Sequence, residues 1–333
     1  MIGLILTCVF IGDGPAPAPA KDNSPRVVVT QPDESKFPDI NVYFEVRRPD
    51  GTFIRDARRE DFRVTEDGKE RPILAFDSPI TIKETPTTIV LVVDRSGSMK
   101  DHGKIFALKR AVGTFLDGLP QGSRVALIAF GSEIELVCEF TSDKEQVRRA
   151  VEAIRPIGAT RYYDAVVAAL KELESETGHR AVLALTDGLD TDSQLPIEEA
   201  IADARKLGLP VHTLGLGEGR EINGPALDLL ASETRGQSYR ARDAESLKAI
   251  YQELAERLGS SYSLTYQTDR KIPDGTLRPI SIYYSKSQAV AETAVFIPGM
   301  VVPAAGWPRL FILLILVLGC LAIAPSALRR RSA

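Results

Sequence analysis

Three oxygen-bearing side chains follow one another at two-residue spacing directly after an apolar run. The run TIVLVV at residues 88–93 leads into Asp94, and Ser96 and Ser98 come next. A carboxylate and two hydroxyls at this spacing place three small oxygen donors on one face of a tight loop. Such donors suit a hard divalent cation, above all Mg²⁺ with retained waters. Gly97 allows a sharp turn of the backbone between the two serines.

Residues 86–258 alternate between apolar β-branched runs and helical patterns. The runs are TIVLVV, RVALIAF, AVLAL and VHTLGL, and helices are predicted at 105–119, 144–154, 162–176, 197–207 and 244–258. Strands that are apolar on both faces and separated by amphipathic helices predict a parallel sheet covered on both sides. The predicted fold class is therefore α/β, with a doubly wound, mostly parallel, Rossmann-like sheet. Ligands of such sheets bind beyond the carboxyl ends of the strands, which is where Asp94 stands.

All-β segments flank this domain. Residues 21–85 read as a small all-β module, in which 21–34 is a polar linker with one short strand, RVVVT. Asp67-Gly68 between two alternating runs predicts a hairpin. Strand patterns return over residues 259–298, and we expect this C-terminal β-strand segment to complete a β-sandwich with the N-terminal module.

The two ends of the chain carry membrane signals. Residues 1–20 form an apolar leader with small residues at a cleavage-like site, although the basic start of a secretory signal is missing. Residues 307–328 contain an uncharged apolar run long enough for a transmembrane helix, and 329–333 form a basic tail. Arg329, Arg330 and Arg331 against the single Arg309 predict a cytoplasmic tail and folded domains on the extracytoplasmic side of a cell membrane.

The amino-acid composition argues against several classes of protein. A formal charge of −4 over 333 residues, with the basic residues scattered among acidic ones, argues against a nucleic-acid surface. Only three cysteines occur, and Cys138 is the single one in the folded part, where it reads as a buried strand residue. A disulfide framework and a cysteine-based metal site are thereby excluded.

The pattern Asp-x-Ser-x-Ser after an apolar strand resembles the metal-ion-dependent adhesion site of the von Willebrand factor A family. The resemblance covers about residues 86–258 and implies two further ligands, Thr160 in Gly-Ala-Thr and Asp187 in Leu-Thr-Asp-Gly. It implies that the hydroxyls coordinate Mg²⁺ (or Mn²⁺) directly or nearly so and that the aspartates act directly or through water. It further implies that a protein partner fills the open position with an Asp or Glu carboxylate. The flanking run FRVTEDGKERPILAF, with the Tyr-rich strands after the domain, is similar to bacterial VWFA-related envelope proteins.

Each of these residues also has a simpler interpretation. The motif from Asp94 to Ser98 fits a helix N-cap and turn without any metal. Thr160 fits a helix cap, and Asp187-Gly188 fits a turn. Asp190 and Asp192, just beyond, either tune the site or act as solvated loop residues and helix caps.

The sequence predicts no catalysis. Of the three histidines, His212 reads as a core residue, while His179 and His102 lie in loops, and no general base accompanies Ser96. The favoured function is a membrane-anchored, metal-dependent module for protein binding in adhesion or assembly. Two alternatives stay open: a subunit of an ATP-driven or chaperone-like assembly, and a structural envelope protein with a vestigial metal site.

Overall fold

A computed structural model of the chain describes residues 24–79, 86–217 and 221–299. These residues fall into two compact units. The first extends up to Lys271 and includes Leu277–Phe296, and it holds every strand and helix named below. Among the described residues, the second consists of Ile272–Thr276 and residues 297–299.

The described residues form fourteen strands and six α-helices. The strands are β1 Arg26–Lys36, β2 Asp39–Arg47, β3 Phe62–Glu66, β4 Lys69–Arg71, β5 Ile73–Asp77, β6 Thr88–Asp94, β7 Arg124–Phe130, β8 Ile134–Thr141, β9 Arg180–Thr186, β10 Val211–Leu216, β11 Ser238–Ala241, β12 Tyr262–Gln267, β13 Leu277–Tyr284 and β14 Ala289–Phe296. The helices are α1 Lys104–Gly118, α2 Lys144–Ala153, α3 Tyr162–Glu174, α4 Ile197–Lys206, α5 Gly224–Glu233 and α6 Ala244–Leu258.

The central sheet has six strands in the order β11-β10-β9-β6-β7-β8. All neighbours are parallel except the edge strand β8, which pairs antiparallel with β7. Alternate residues of β6 serve two separate cores, because Leu91 packs with α1, α2 and α6 while Val92 packs with α3, α4 and α5. Apolar strands of this kind need helices on both faces, and the predicted doubly wound α/β fold is confirmed.

Strands from both flanks of the α/β domain share two antiparallel sheets, in the orders β1-β2-β12-β5 and β14-β13-β3-β4. Phe62 of β3 joins them, since its ring lies 5.0 Å from Phe44 of β2 and 5.8 Å from Tyr262 of β12, both in the first sheet. These aromatic contacts make a sandwich of the two sheets, as the strand patterns predict. The hairpin at Asp67-Gly68 is also confirmed, with φ of 50° and 73° at its two turn residues.

The short strand predicted at RVVVT is confirmed, but the interpretation of residues 31–34 as linker is wrong, because the strand continues to Lys36. β1 has eleven residues and pairs with β2. Its polar residues are buried because the α/β domain bonds them: Gln31 accepts from the Arg180 amide at 2.8 Å and donates to the Gly178 carbonyl at 3.0 Å. Asp33 accepts from the Gly178 amide at 3.2 Å.

Several predicted segments lie outside the described residues, namely the leader at 1–20, the transmembrane helix at 307–328 and the tail at 329–333. Among the helices that are described, none has both the length and the apolar character needed to cross a bilayer.

Candidate functional site

The carboxyl ends of two neighbouring parallel strands carry the first part of the site. β6 ends at Asp94 and β9 ends at Thr186, and Val93 is paired in register with Leu185. Asp94 and Asp187 therefore emerge at the same edge of the sheet, although 92 residues separate Asp94 from Thr186 in the chain.

A chain of close oxygen contacts runs across this edge. The Ser96 Oγ lies 3.0 Å from the Ser98 Oγ, and the Ser98 hydroxyl donates to Asp187 Oδ1 at 2.7 Å. Asp94 Oδ1 accepts from the Ser96 amide at 2.7 Å, which fixes the start of the loop. Asp94, Ser96 and Ser98, which the local spacing predicted, therefore lie beside Asp187, which follows a strand far away in the sequence.

The serine hydroxyls do not cap a helix. A 3-10 helix at Gly97–Gly103 follows the loop, and Ser96 stands at its N-cap position without any side-chain capping bond. The N-cap of α1 is Gly103, which has no side chain. The two hydroxyls instead face each other, and that of Ser98 donates to Asp187. The capping interpretation therefore does not describe the contacts of Ser96 and Ser98.

Thr160 reaches the same place from the loop before α3. The Gly97 amide donates to the Gly158 carbonyl at 3.0 Å, and this bond holds the two loops together. Gly158 has φ of +92°, and a Cβ there would meet the Ser132 amide nitrogen at 2.8 Å, so glycine is required. The Thr160 and Ser98 hydroxyl oxygens each lie 3.8 Å from the point where a Cβ on Gly188 would stand.

Thr160 is only 6% exposed, yet its hydroxyl has no hydrogen-bond partner within the described part of the chain. Its backbone is occupied, since its carbonyl accepts from the Thr191 amide at 3.0 Å. Nor does Thr160 cap α3, whose N-cap position is taken by Arg161. A hydroxyl that faces the site from a nearly buried residue, and that no described residue bonds, is available to coordinate a ligand.

Asp94 is fully buried, and burial raises the pKa of its carboxyl group to about 6. Hydrogen bonds from Ser96 and from the Thr186 hydroxyl, at 2.7 Å to Oδ2, oppose that rise, while the charge of Asp187 adds to it. Thr186 was not singled out in the sequence, and it orients Asp94 in the way that outer-shell residues orient metal ligands.

Lys104 is a second residue that the motif did not indicate. Its Nζ donates to Asp187 Oδ2 at 3.0 Å and lies 3.4 Å from Glu221 Oε2. Partial burial acts to lower the pKa of Lys104, but the hydrogen bond and charge of Asp187 outweigh it and raise the pKa. The only signal in the sequence was a cation at the start of α1, and its partner lies 83 residues away.

The acidic residues beyond Asp187 have other roles. Asp190 Oδ2 accepts from the amides of Tyr162 and Tyr163 at 2.9 and 3.2 Å, so it caps α3 from a distant loop. The prediction of a helix cap is confirmed for Asp190. Asp192 is exposed. His102 is exposed as well, whereas His179 and His212 are buried.

The donor set fits a small divalent cation. Its side chains offer only oxygen, and cis ligands of an octahedral Mg²⁺ stand about 2.9 Å apart at the usual Mg–O distance. The Ser96–Ser98 and Ser98–Asp187 oxygen separations of 3.0 and 2.7 Å bracket that spacing. The described residues contain no group of three or more His, Cys, Asp or Glu arranged for a metal, so a cation held here would depend on hydroxyl or water ligands as well. Coordination by these residues stays a prediction.

Comparison with known proteins agrees with this geometry. Residues 89–189 match the family model of the von Willebrand factor type A domain. A UPF0353 protein of Nocardia farcinica is 24% identical over 239 residues, which cover 59% of this chain and 70% of that protein. Calcium-activated chloride channel regulator 1 of Bos taurus is 26% identical over 199 residues, or 57% of this chain, but the chain spans only 21% of that protein's length.

Among solved structures, a von Willebrand factor type A protein from Catenulispora acidiphila superposes with a TM-score of 0.50. The alignment covers 83% of this chain and 73% of that one, at 13% identity. At that identity the likeness concerns the fold alone.

Proposed function

We propose that this chain, which carries a von Willebrand factor type A domain across residues 89–189, binds a divalent cation and uses it to hold a carboxylate of a protein partner. The proposed ligands are Asp94, Ser96, Ser98, Thr160 and Asp187. The observation that carries the proposal is the run of contacts from Ser96 Oγ through Ser98 Oγ to Asp187 Oδ1, with the unpartnered Thr160 hydroxyl beside it.

The charges of this set explain why a partner would be attracted. Three of the five proposed ligands are neutral hydroxyls, and two are carboxylates, so the protein only balances a charge of 2+. When bound, Mg²⁺ or Mn²⁺ would supply a Lewis-acidic position for one more oxygen ligand. An Asp or Glu side chain of a partner is then still attracted at short range, where Coulomb interactions are strong.

The surrounding residues prepare the ligands. Thr186 holds one oxygen of Asp94, and the Ser96 amide holds the other, so the buried carboxylate cannot rotate freely. Lys104 holds Asp187 Oδ2 and leaves Oδ1 directed to Ser98. Pre-arranged oxygens of this kind reduce the loss of conformational entropy on binding.

We further propose that residues 307–328 anchor the chain in a cell membrane, with the folded domains outside and residues 329–333 inside. The support is the uncharged run from 310 to 328 and the arginine excess after it. Protease added to intact spheroplasts should then remove the folded domains. Protection of the domains until the membrane is broken would reject this topology.

Calorimetric titration of Mg²⁺ into the full chain, purified in mild detergent, tests the cation site. Asp94→Asn and Ser98→Ala should each weaken binding by about tenfold or more, because the first removes a negative charge and the second a hydroxyl from the proposed ligand set. Asp192→Asn is the matched control, since its carboxylate is exposed near the site, and it should bind as the wild type does. Equal affinities for Ser98→Ala and wild type would contradict the proposed ligand set.

Capture of partners from an envelope extract tests the bridge. The immobilised full chain is compared in Mg²⁺, in EDTA, and as Asp94→Asn in Mg²⁺. A partner retained only by wild type in Mg²⁺, and lost when its own acidic residue is neutralised, is the expected result. Partners held equally under all three conditions would show that other surfaces bind them and that the cation does not.

A further inference from the structure

A concave pocket of about 620 Å³ opens beside the candidate cation site. It lies where the start of α1, the end of β10 and the start of α6 meet. The lining residues that matter here are Lys104, Phe106, Arg110, Glu221, Arg242 and Asp243.

One side chain connects this pocket to the cation site. Lys104 lines the pocket and also donates to Asp187 Oδ2 at 3.0 Å. The pocket therefore begins one residue away from a proposed ligand. A partner that places a carboxylate on the cation would bring its neighbouring residues over this opening.

The exposed face of α1 contributes an aromatic ring and a guanidinium. Phe106 is 69% exposed, and Arg110, four residues on, lies on the same side of the helix. The opposite face holds the core residues Ile105, Leu108 and Val112. Phe106 is thus an apolar side chain that the described part of the chain does not bury.

The positive charges of the pocket are only partly neutralised. Arg110 and Arg242 are exposed, and within the described residues neither guanidinium forms an ion pair. The two carboxylates in the pocket have hydrogen-bonded partners of their own: the bonds from Ser246 lower the pKa of Asp243 most, and the charge of Arg242 lowers it further. Glu221 Oε2 faces Lys104, and Asp243 caps α6 by accepting from the Ser246 amide at 2.8 Å.

We propose that this pocket is a second subsite for an acidic peptide segment of the partner. One carboxylate of the segment binds the cation, a second is received by Arg110 and Arg242, and an apolar residue between them covers Phe106. Charge complementarity selects this occupant, because both guanidiniums line the pocket and guanidiniums bind carboxylates through charge-assisted hydrogen bonds. The inference rests on the proposed function, since it assigns the second anchor of the same partner.

Selection from a displayed library of random linear peptides tests the subsite. The library is panned on the full chain in detergent with Mg²⁺ and eluted with EDTA, in parallel on wild type, on Arg110→Gln/Arg242→Gln and on Arg26→Gln. Arg26 is an exposed arginine at the start of β1 and serves as the control for lost charge. Circular dichroism melting compares the folding of the three proteins, and both sets of substitutions are at exposed positions.

We expect wild type and Arg26→Gln to select peptides with two acidic positions flanking an apolar one. The double variant should select a single acidic position, and it should bind a synthetic wild-type-selected peptide about tenfold more weakly in fluorescence polarisation. A single acidic position on the wild type, or the same peptides on the double variant, would overturn the subsite while leaving cation-bridged binding intact. If the selected peptides bind equally well with and without EDTA, the proposed function and the subsite would both be overturned.

Discussion

Lys104 is placed to modulate how strongly Asp187 would act on a cation in the proposed site. Its ammonium nitrogen is 3.0 Å from Asp187 Oδ2, and the raised pKa keeps it charged at neutral pH. A fixed positive charge next to a proposed ligand offsets part of the negative charge that would attract a cation. The same bond also keeps Asp187 in position for Ser98.

Replacing Lys104 by Gln separates these two effects. The amide can still donate to Asp187, but the repulsion between ammonium and cation is gone, so Mg²⁺ should bind more tightly, by about tenfold or somewhat less. Calorimetric titration compares the variant with wild type and with Lys171→Gln, which removes an exposed lysine on α3. Weaker binding in Lys104→Gln would mean that positioning of Asp187 outweighs charge.

Asp190 is expected to act on stability through α3. Asp190→Ala removes the acceptor for the amides of Tyr162 and Tyr163, and loss of such a cap costs about 1 kcal/mol. The midpoint of urea denaturation measures the change. Asp192→Ala, two residues on and exposed, should leave the midpoint nearly unchanged. Equal effects of the two substitutions would argue against capping by Asp190.

Five of the residues at this edge could be named from the sequence, and two could not. Asp94, Ser96 and Ser98 form a local pattern after an apolar strand, and the family resemblance supplied Thr160 and Asp187. Lys104 and Thr186 carry no pattern of their own. Their roles depend on the pairing of β6 with β9, which brings Asp187 and Asp94 within reach.

At the level of elements, long periodic segments were predictable and short or irregular ones were not. The helix predicted at 244–258 matches α6, and the other four predicted helices begin or end within two residues of those observed. α5 was missed because it opens with Gly224-Pro225 and leaves Leu229 exposed, which breaks the apolar stripe. β11 was missed because it has only four residues, most of them polar.

Polar residues at the contact between the β-sandwich and the α/β domain were the hardest to interpret. Gln31 and Asp33 look like linker residues in isolation, because nothing local indicates a partner. Their partners, Gly178 and Arg180, lie well over a hundred residues away in the chain. Composition alone therefore predicted that these residues are exposed to solvent, whereas in the structure they lie at an interface.

A buried ion pair fixes α6 to the sandwich. The Arg257 Nε donates to Glu45 Oε1 at 2.6 Å, and both side chains are at most 2% exposed. Glu45→Gln leaves the Arg257 charge buried without its counter-ion, so we expect a loss of about 3 kcal/mol in the free energy of unfolding. The midpoint and slope of guanidinium denaturation measure it.

Two further variants control this prediction. Glu45→Gln/Arg257→Met removes both charges and should recover part of the loss. Asp228→Asn breaks an ion pair with Arg240 in which both side chains are more than a third exposed, and it should cost less than about 0.5 kcal/mol. A cost for Glu45→Gln as small as for Asp228→Asn would refute the structural role of the buried pair.

At the scale of the whole molecule, His179 lies at the contact between the sandwich and the α/β domain, and we expect it to lower the stability of the protein in acid. Its ring stacks on Tyr43 of β2 at 4.7 Å, and Nδ1 lies 3.0 Å from the Thr87 hydroxyl. Burial, together with the charges of Arg257 and Arg180, lowers the pKa of His179 from 6.5 to about 3. The folded protein therefore binds a proton on this residue far less readily than the unfolded chain.

The sign of the pH effect follows from that difference. The contribution of neutral His179 to stability is complete above the unfolded pKa of 6.5 and declines as the pH falls toward 3. At about pH 5 the loss should be about 2 kcal/mol. His179→Gln should remove this part of the pH dependence, whereas His102→Gln, at an exposed loop position, should not. Denaturation midpoints at about pH 7.5 and about pH 5 measure it, and parallel declines in wild type and His179→Gln would contradict the assignment.

The sharing of strands between the two flanks has a mechanical consequence. β12, which follows the α/β domain, lies between β2 and β5, which precede it. The α/β domain is thus inserted between β5 and β12 of the sandwich. Two chain segments, called tethers below, join it to the sandwich, one before Thr88 and one after Leu258. Tension applied to the α/β domain by the proposed partner would divide between both tethers and load β5 and β12, which are neighbours in one sheet. Two tethers restrain the domain from swivelling about either one, so a pull on the proposed partner would be transmitted as a directed force.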